Sequence, residues 1–231
     1  MDLGDLLMKE LTINKKTYKK AYGLDELNMF RGQLYETIVT TQSNRSVINA
    51  APIGVICKDS NQIVIHLDNC VDTHRNILEN GELIVNITKD PLIFTYSTLG
   101  DLDEEYFGYF NDFPMINDSL GFFKAHVMKK REKKRENDYN GGIGHVVTCE
   151  VEDIYLSEYN EIIPLNRAMN AILESLVYYC RFDHKYKDMQ KEIWTHMKEL
   201  NRVCHKVGNE SEKKAMELVL NKLKENHDYL D

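Results

Sequence analysis

The sequence lacks the short signatures that most readily identify an enzyme. It holds no GxSxG elbow, no HExxH pair and no Walker-type glycine loop, which argues against serine-hydrolase, zinc-protease and P-loop nucleotide chemistry. Its cysteines, Cys57, Cys70, Cys149, Cys180 and Cys204, are odd in number and form no CxxC, so neither a disulfide framework nor a structural zinc site is expected. Reduced thiols fit a cytoplasmic protein. No run approaches the ~20 apolar residues that span a bilayer. The opening MDLGDLLMKELTINKK carries early acidic residues and no continuous apolar stretch of the secretory kind. Positive charge is not in excess either: 29 Lys and Arg stand against 37 Asp and Glu, a net charge of −8. Such a chain is not built to coat nucleic acid or an anionic membrane. The expectation is a soluble cytoplasmic protein with no nucleic-acid partner, no membrane partner and no metal.

What is present is ordinary globular material. The 231 residues are 42% hydrophobic and 29% charged, enough for one large domain or a barrel with a helical appendage. Residues 1–30 are weakly patterned and read as a lead-in with a short helix. Residues 34–41, 47–57 and 62–67 are rich in β-branched and aromatic side chains or alternate polar with apolar, and read as strands. Pro52 and Gly54 within the second mark an edge, a bulge or a close backbone approach. The period then changes. Residues 72–80 read as a short helix with Asp72 as N-cap and Gly81 as its stop. Residues 83–88 are a nearly continuous apolar strand, and residues 90–99 a second short helix.

Residues 104–118 form an aromatic-rich connector. A second β region covers 122–128 and 145–156, and the charged run between them, ending in Gly141-Gly142, reads as the exposed tip of a long hairpin. After Pro164 the pattern is helical, with Leu165, Met169, Ile172, Leu173, Leu176, Val177 and Cys180 on one face. Strands first and helices last give an α+β class: an antiparallel barrel over residues 1–160, then a small helical region over 161–231.

The chemistry gathers around residues 71–88. Thr73, Arg75 and Asn76 fall in the first turn of the short helix. A helix N-terminus offers unpaired N–H groups and partial positive charge, and so favours a phosphate. Thr73 adds a hydroxyl, Asn76 an amide and Arg75 a cation. Asp72 is an anion at the same place and must turn away as the cap. On spacing alone, Thr73 and Asn76 also read as simple capping residues. Upstream, Ala50, Ala51 and Gly54 are small enough for a flat ring to lie against backbone. A buried Asn86 needs partners, which either backbone or a ligand supplies. His66 and His74 lack a third ligand at metal spacing.

Taken in order, VTT, NAAPIGV, DTHRN and ENGELIVNIT resemble the flavin-reductase-like, FMN-binding split-barrel superfamily. Within it, the resemblance is closest to a group of uncharacterised archaeal proteins whose barrel is followed by a helical region, and PLNRAMNAILESLVYYCR is similar to the start of that region. The resemblance implies an antiparallel split β-barrel with FMN as cofactor. It places Thr73 and Asn76 on the FMN phosphate, helped by Thr41 or Arg75. It lays Asn49, Ala50, Ala51 and Pro52 along the isoalloxazine, and sets Asn86 near the flavin or the barrel core. It further implies a homodimer and, for an enzyme, a reduced nicotinamide or deazaflavin donor. Catalytic residues are not identified. Three functions stay open: an FMN-dependent oxidoreductase, a non-catalytic FMN-binding or carrier protein, and a barrel interaction module without cofactor.

Overall fold

The computed structural model describes residues 10–69, 71–134, 143–158, 162–227 and 229–230. The chain divides into two compact units, Met1–Leu165 and Asn166–Asp231.

The first unit opens with a hairpin, β1 (Glu10–Ile13) and β2 (Lys16–Ala21), followed by β3 (Leu34–Gln42), β4 (Ile48–Asp59) and β5 (Gln62–Asp68). Helix α1 (Asp72–Asn80) leads to β6 (Glu82–Ile87), and helix α2 (Pro91–Leu99) to a second hairpin, β7 (Phe107–Phe110) and β8 (Phe113–Ile116). Two long strands, β9 (Gly121–Lys134) and β10 (Ile143–Ser157), complete it. Pairing runs β10-β5-β4-β3-β6-β9, and β9 pairs back with β10, so six antiparallel strands close into a barrel. Closure leaves these strands no free edge over most of their length. The far end of β10, Ile154–Ser157, holds β2 instead of β5.

Alternation along the strands fills the interior with Val39, Val55, Ile65, Val85, Phe123 and Val147. A second apolar cluster lies on the outer face, where Tyr18, Ile84, Phe110, Met115, Phe122 and Tyr155 meet. Phe122 and Tyr155 stack there with ring centroids 5.4 Å apart. Strand β6 is therefore buried on both faces, which accounts for its unbroken apolar sequence. A third cluster joins Ile38, Ala50, Ile93 and Ile116, packing α2 against β3 and β4.

The second unit holds α3 (Arg167–Arg181), α4 (Lys187–Val207) and α5 (Glu210–Asn226). Asn166 caps α3 by accepting from the Ala168 N–H, and Asn209 with Glu212 forms a full capping box on α5. No helix of the described residues is long and apolar enough to cross a membrane.

The α+β class, with an antiparallel barrel followed by helices, is as the sequence leads one to expect; several details differ. Among the described residues of the lead-in, 10–21 are a hairpin, and the aromatic connector contains a second one. Both turn on two residues of positive φ, Asn14-Lys15 and Asn111-Asp112. This is the left-handed pair that suits a two-residue hairpin, here without the glycine that usually announces it. Asp72 is not the cap of α1: that position is Val71, which makes no side-chain cap bond. On α3 the buried face is Ala168, Ala171, Ile172 and Ser175, while Met169, Leu173, Leu176 and Val177 stay half-exposed. Small residues let neighbouring helix backbones approach closely, so the small face is the one that packs. Of the charged run 129–142 expected as a hairpin tip, Lys129–Lys134 instead continue β9 and pair with β10; residues 135–142 and the start of the lead-in lie outside the described residues. The four described cysteines are free. Burial pushes the Cys57 thiol up to about 11 and the Cys149 thiol up to about 12, so neither is a reactive thiolate.

Candidate functional site

Antiparallel register places Thr41 of β3 directly opposite Asn49 of β4. Helix α1 lies across them, and Thr73 and Asn76, three residues apart, share the face it turns inward. The four side chains interlock. Asn49 Nδ2 donates to Thr73 Oγ1 at 2.8 Å, and Asn76 Nδ2 donates to Thr41 Oγ1 at 3.1 Å. Thr41, Thr73 and Asn76 are buried. The two threonines accept from, and so orient, the two asparagines. Asn80 Nδ2, donating to the Gln42 carbonyl at 2.5 Å, pins the far end of α1 to the same strand.

Beside this quartet lies a cavity of about 600 Å³, between α1 and the β3–β4 turn. Asn49 and Asn76 line it, and so do Arg45 from the turn and Arg75 from the helix. Acidic groups are present as well. Asp72 is held by Arg75 at 2.9 Å, and Glu79 accepts from Asn44 Nδ2 at 3.4 Å. Asp72 therefore points at its own helix's arginine and partly neutralises it, instead of turning away as a cap.

Strand β4 meets β5 only through Val55–Asp59. Among the described residues no strand covers the stretch from Ile48 to Gly54 on that side, so Asn49, Ala50, Ala51 and Pro52 lie along an open edge. Pro52 is suited to it, since a residue without an N–H weakens a central ladder but not an edge. Ala50 turns its methyl group into the cluster with Ile93, whereas Ala51 is half-exposed. The structure thus brings Thr41, Asn49, Thr73, Arg75 and Asn76 together, with Ala50, Ala51 and Pro52 on the adjoining strand.

Asn86 lies apart. It is 0% exposed, its Nδ2 donates to the Ile38 carbonyl at 3.0 Å and to Thr40 Oγ1 at 3.1 Å, and its Oδ1 accepts from the Ile116 N–H at 2.9 Å. Its amide is spent inside the barrel, tying β6 to β3 and β8.

Two features were not read from the sequence. Arg45 becomes a wall of the cavity only once the β3–β4 pairing folds the turn over α1, and no local pattern marks it. His74, beside Thr73, meets His145 of β10 with Nε2 and Nδ1 2.9 Å apart. Among the described residues no group of three or more His, Cys, Asp or Glu side chains is placed to hold a metal, so the pair is a hydrogen bond between two rings. Burial first, then the charges of His145 and Lys130, hold His74 below its ordinary 6.5, against an upward pull from Asp68. The folded protein therefore keeps this ring neutral while the unfolded chain protonates it near 6.5. The stabilisation is complete above that pH and is lost as pH falls from 6.5 towards the lowered folded value. Urea midpoints are expected to drop as pH falls below about 6.5, and His74→Gln is expected to flatten that slope. An unchanged slope in the variant would rule out this origin.

Sequence comparison matches residues 35–150 to the family described as protein of unknown function (DUF447), N-terminal domain, and residues 166–221 to its companion, protein of unknown function (DUF447). Among solved structures, the chain is similar to an FMN-bound protein from Methanosarcina mazei, at 25% identity over 86% of this chain and 98% of that one, with a TM-score of 0.47. It is also similar to a putative flavin reductase with a split barrel domain from Shewanella frigidimarina, at 15% identity over 60% and 75% of the two chains and a TM-score of 0.45. A flavoredoxin from Methanosarcina acetivorans shares 15% identity over 57% and 73%, with a TM-score of 0.41.

Proposed function

The chain belongs to the DUF447 family, and from that premise we propose that it is an FMN-binding flavoprotein and an oxidoreductase that passes hydride or electrons through the flavin. The observation that carries this reading is the quartet Thr41, Asn49, Thr73 and Asn76 on the wall of a cavity of about 600 Å³. That volume lies within the roughly 300–1,000 Å³ of small-molecule sites. The same residues fall in the motifs that resemble the FMN-binding split barrels.

The residues fit the cofactor end by end. Asn49 and Asn76 offer amide donors to the phosphate, and Arg45 and Arg75 offer cations. Thr41 and Thr73 hold the two amides in place. The open edge at Asn49–Pro52 gives backbone against which the isoalloxazine lies. Asn86 serves the barrel and not the ring. Bound flavin supplies the redox chemistry, and the protein's part is to place it. The ring end, from Ala50 to Ile53, carries no titratable side chain. Flavin reduction needs none, so this suits an oxidoreductase, and it suits a non-catalytic carrier equally well. The cofactor belongs to a barrel domain over 1–160, followed by a helical region over 161–231 that serves oligomerisation in the carrier reading. The protein is a cytoplasmic homodimer in this reading, with a reduced nicotinamide or deazaflavin as donor.

The visible spectrum of the purified protein tests the core of this. Two flavin bands are expected, at once or after FMN is added. Their absence in both cases sinks the flavin reading. Bands that neither donor bleaches would leave a carrier in place of the oxidoreductase.

A further inference from the structure

In the helical unit, Trp194, Lys198, Asn201 and His205 recur at helical spacing along one face of α4, and Glu217, Leu220, Asn221 and Lys224 along one face of α5. Such seam positions are ordinarily apolar. Here Met197, Cys204, Met216 and Leu223 carry the packing, and the neighbouring polar positions line a cleft of about 370 Å³ between the two helices.

The charges in this cleft are unbalanced. Lys198 Nζ lies 5.9 Å and Lys224 Nζ 5.6 Å from the centroid of the Trp194 ring, so two ammonium groups converge on one indole. Neither has a carboxylate partner among the described residues. The one acid lining the cleft, Glu217, lies 3.7 Å from His205 Nε2 and is not paired with either lysine. Trp194 is only 5% exposed, and its Nε1 has no acceptor among the described residues. Two like charges beside one ring repel each other, and a buried N–H left without an acceptor is uncommon in folded proteins.

We propose that this cleft binds a small dianion, a phosphate monoester or a dicarboxylate. Lys198 and Lys224 are its cationic contacts, the Asn201 and Asn221 amides its hydrogen-bond donors, and Trp194 its floor. A dianion satisfies both ammonium groups at once, which no side chain of the cleft does. The site lies wholly in α4 and α5 and does not rest on the flavin reading.

Trp194 is the only tryptophan of the chain, so its emission reports on this cleft alone. The full-length protein is titrated with inorganic phosphate and, separately, with succinate, at ionic strength held constant with sodium chloride. A saturable change in emission is expected with at least one of them, and the responding probe tells phosphate esters from dicarboxylates. Lys198→Gln together with Lys224→Gln, both at exposed positions, is expected to weaken that binding about tenfold or more while circular dichroism and melting stay unchanged. No saturable change with either anion overturns the proposal, and so does an equal response from the double variant.

Discussion

Changing Thr73 and Asn76 together to alanine is expected to lower FMN affinity by about 3 kcal/mol, roughly 150-fold. Asn76 lines the cavity directly, so its truncation removes one amide from the proposed phosphate site. Thr73 acts at one remove. Its Oγ1 is the acceptor that fixes the Asn49 amide at 2.8 Å, so its loss frees the second amide to rotate away. Each lost or misplaced bond to a charged phosphate is worth about 1.5–3 kcal/mol. Fluorescence quenching of free FMN on titration gives the two dissociation constants. The quartet also contributes to stability, so the comparison holds at a temperature where circular dichroism shows both proteins folded. Equal dissociation constants under those conditions would move the phosphate away from α1.

The second large effect belongs to Asn86. Asn86→Ala is expected to cost about 3 kcal/mol of stability, because one truncation leaves the Ile116 N–H and the Ile38 carbonyl without their side-chain partner at a site closed to water. A urea transition with a lowered midpoint and an unchanged slope is the expected reading. FMN affinity of the folded variant is expected to stay at the parent value. A loss below about 1 kcal/mol, or a large loss of flavin affinity in a folded variant, would return Asn86 to the cofactor.

Much of this was legible in the sequence, and the reasons differ by element. Strands β3 to β6 and helix α1 declare themselves because period and composition change together at Asp72 and Gly81. Thr73 and Asn76 can be picked out because their spacing is local to one helical turn. Their partners are not local. That Thr41 faces Asn49, and that both meet α1, follows from strand register, which the turn between β3 and β4 sets and no short window shows. Arg45 and the His74–His145 contact are hidden for the same reason. The two hairpins at Asn14-Lys15 and Asn111-Asp112 went unread because asparagine without glycine carries the left-handed turn there. Helix α3 was visible as a helix, but of its apolar stripe only Ile172 lies on the buried face, since hydrophobic size does not reveal where close backbone approach is needed.

The pairing of β10 also has a consequence in time. It joins β9 along one edge, and β5 and then β2 along the other. A ribosome adds about 5–20 residues per second, so for an interval β5 and β9 exist with bare edges and nothing to cover them. An uncovered strand edge invites pairing with another chain, and charged side chains, lysine above all, discourage it. Lys129, Lys130, Arg131, Lys133 and Lys134 line the outer part of β9. In the finished barrel Lys130 Nζ donates to the Leu78 carbonyl at 2.8 Å; before the last strand arrives, a basic run of this kind is expected to discourage pairing of the bare edge with another chain.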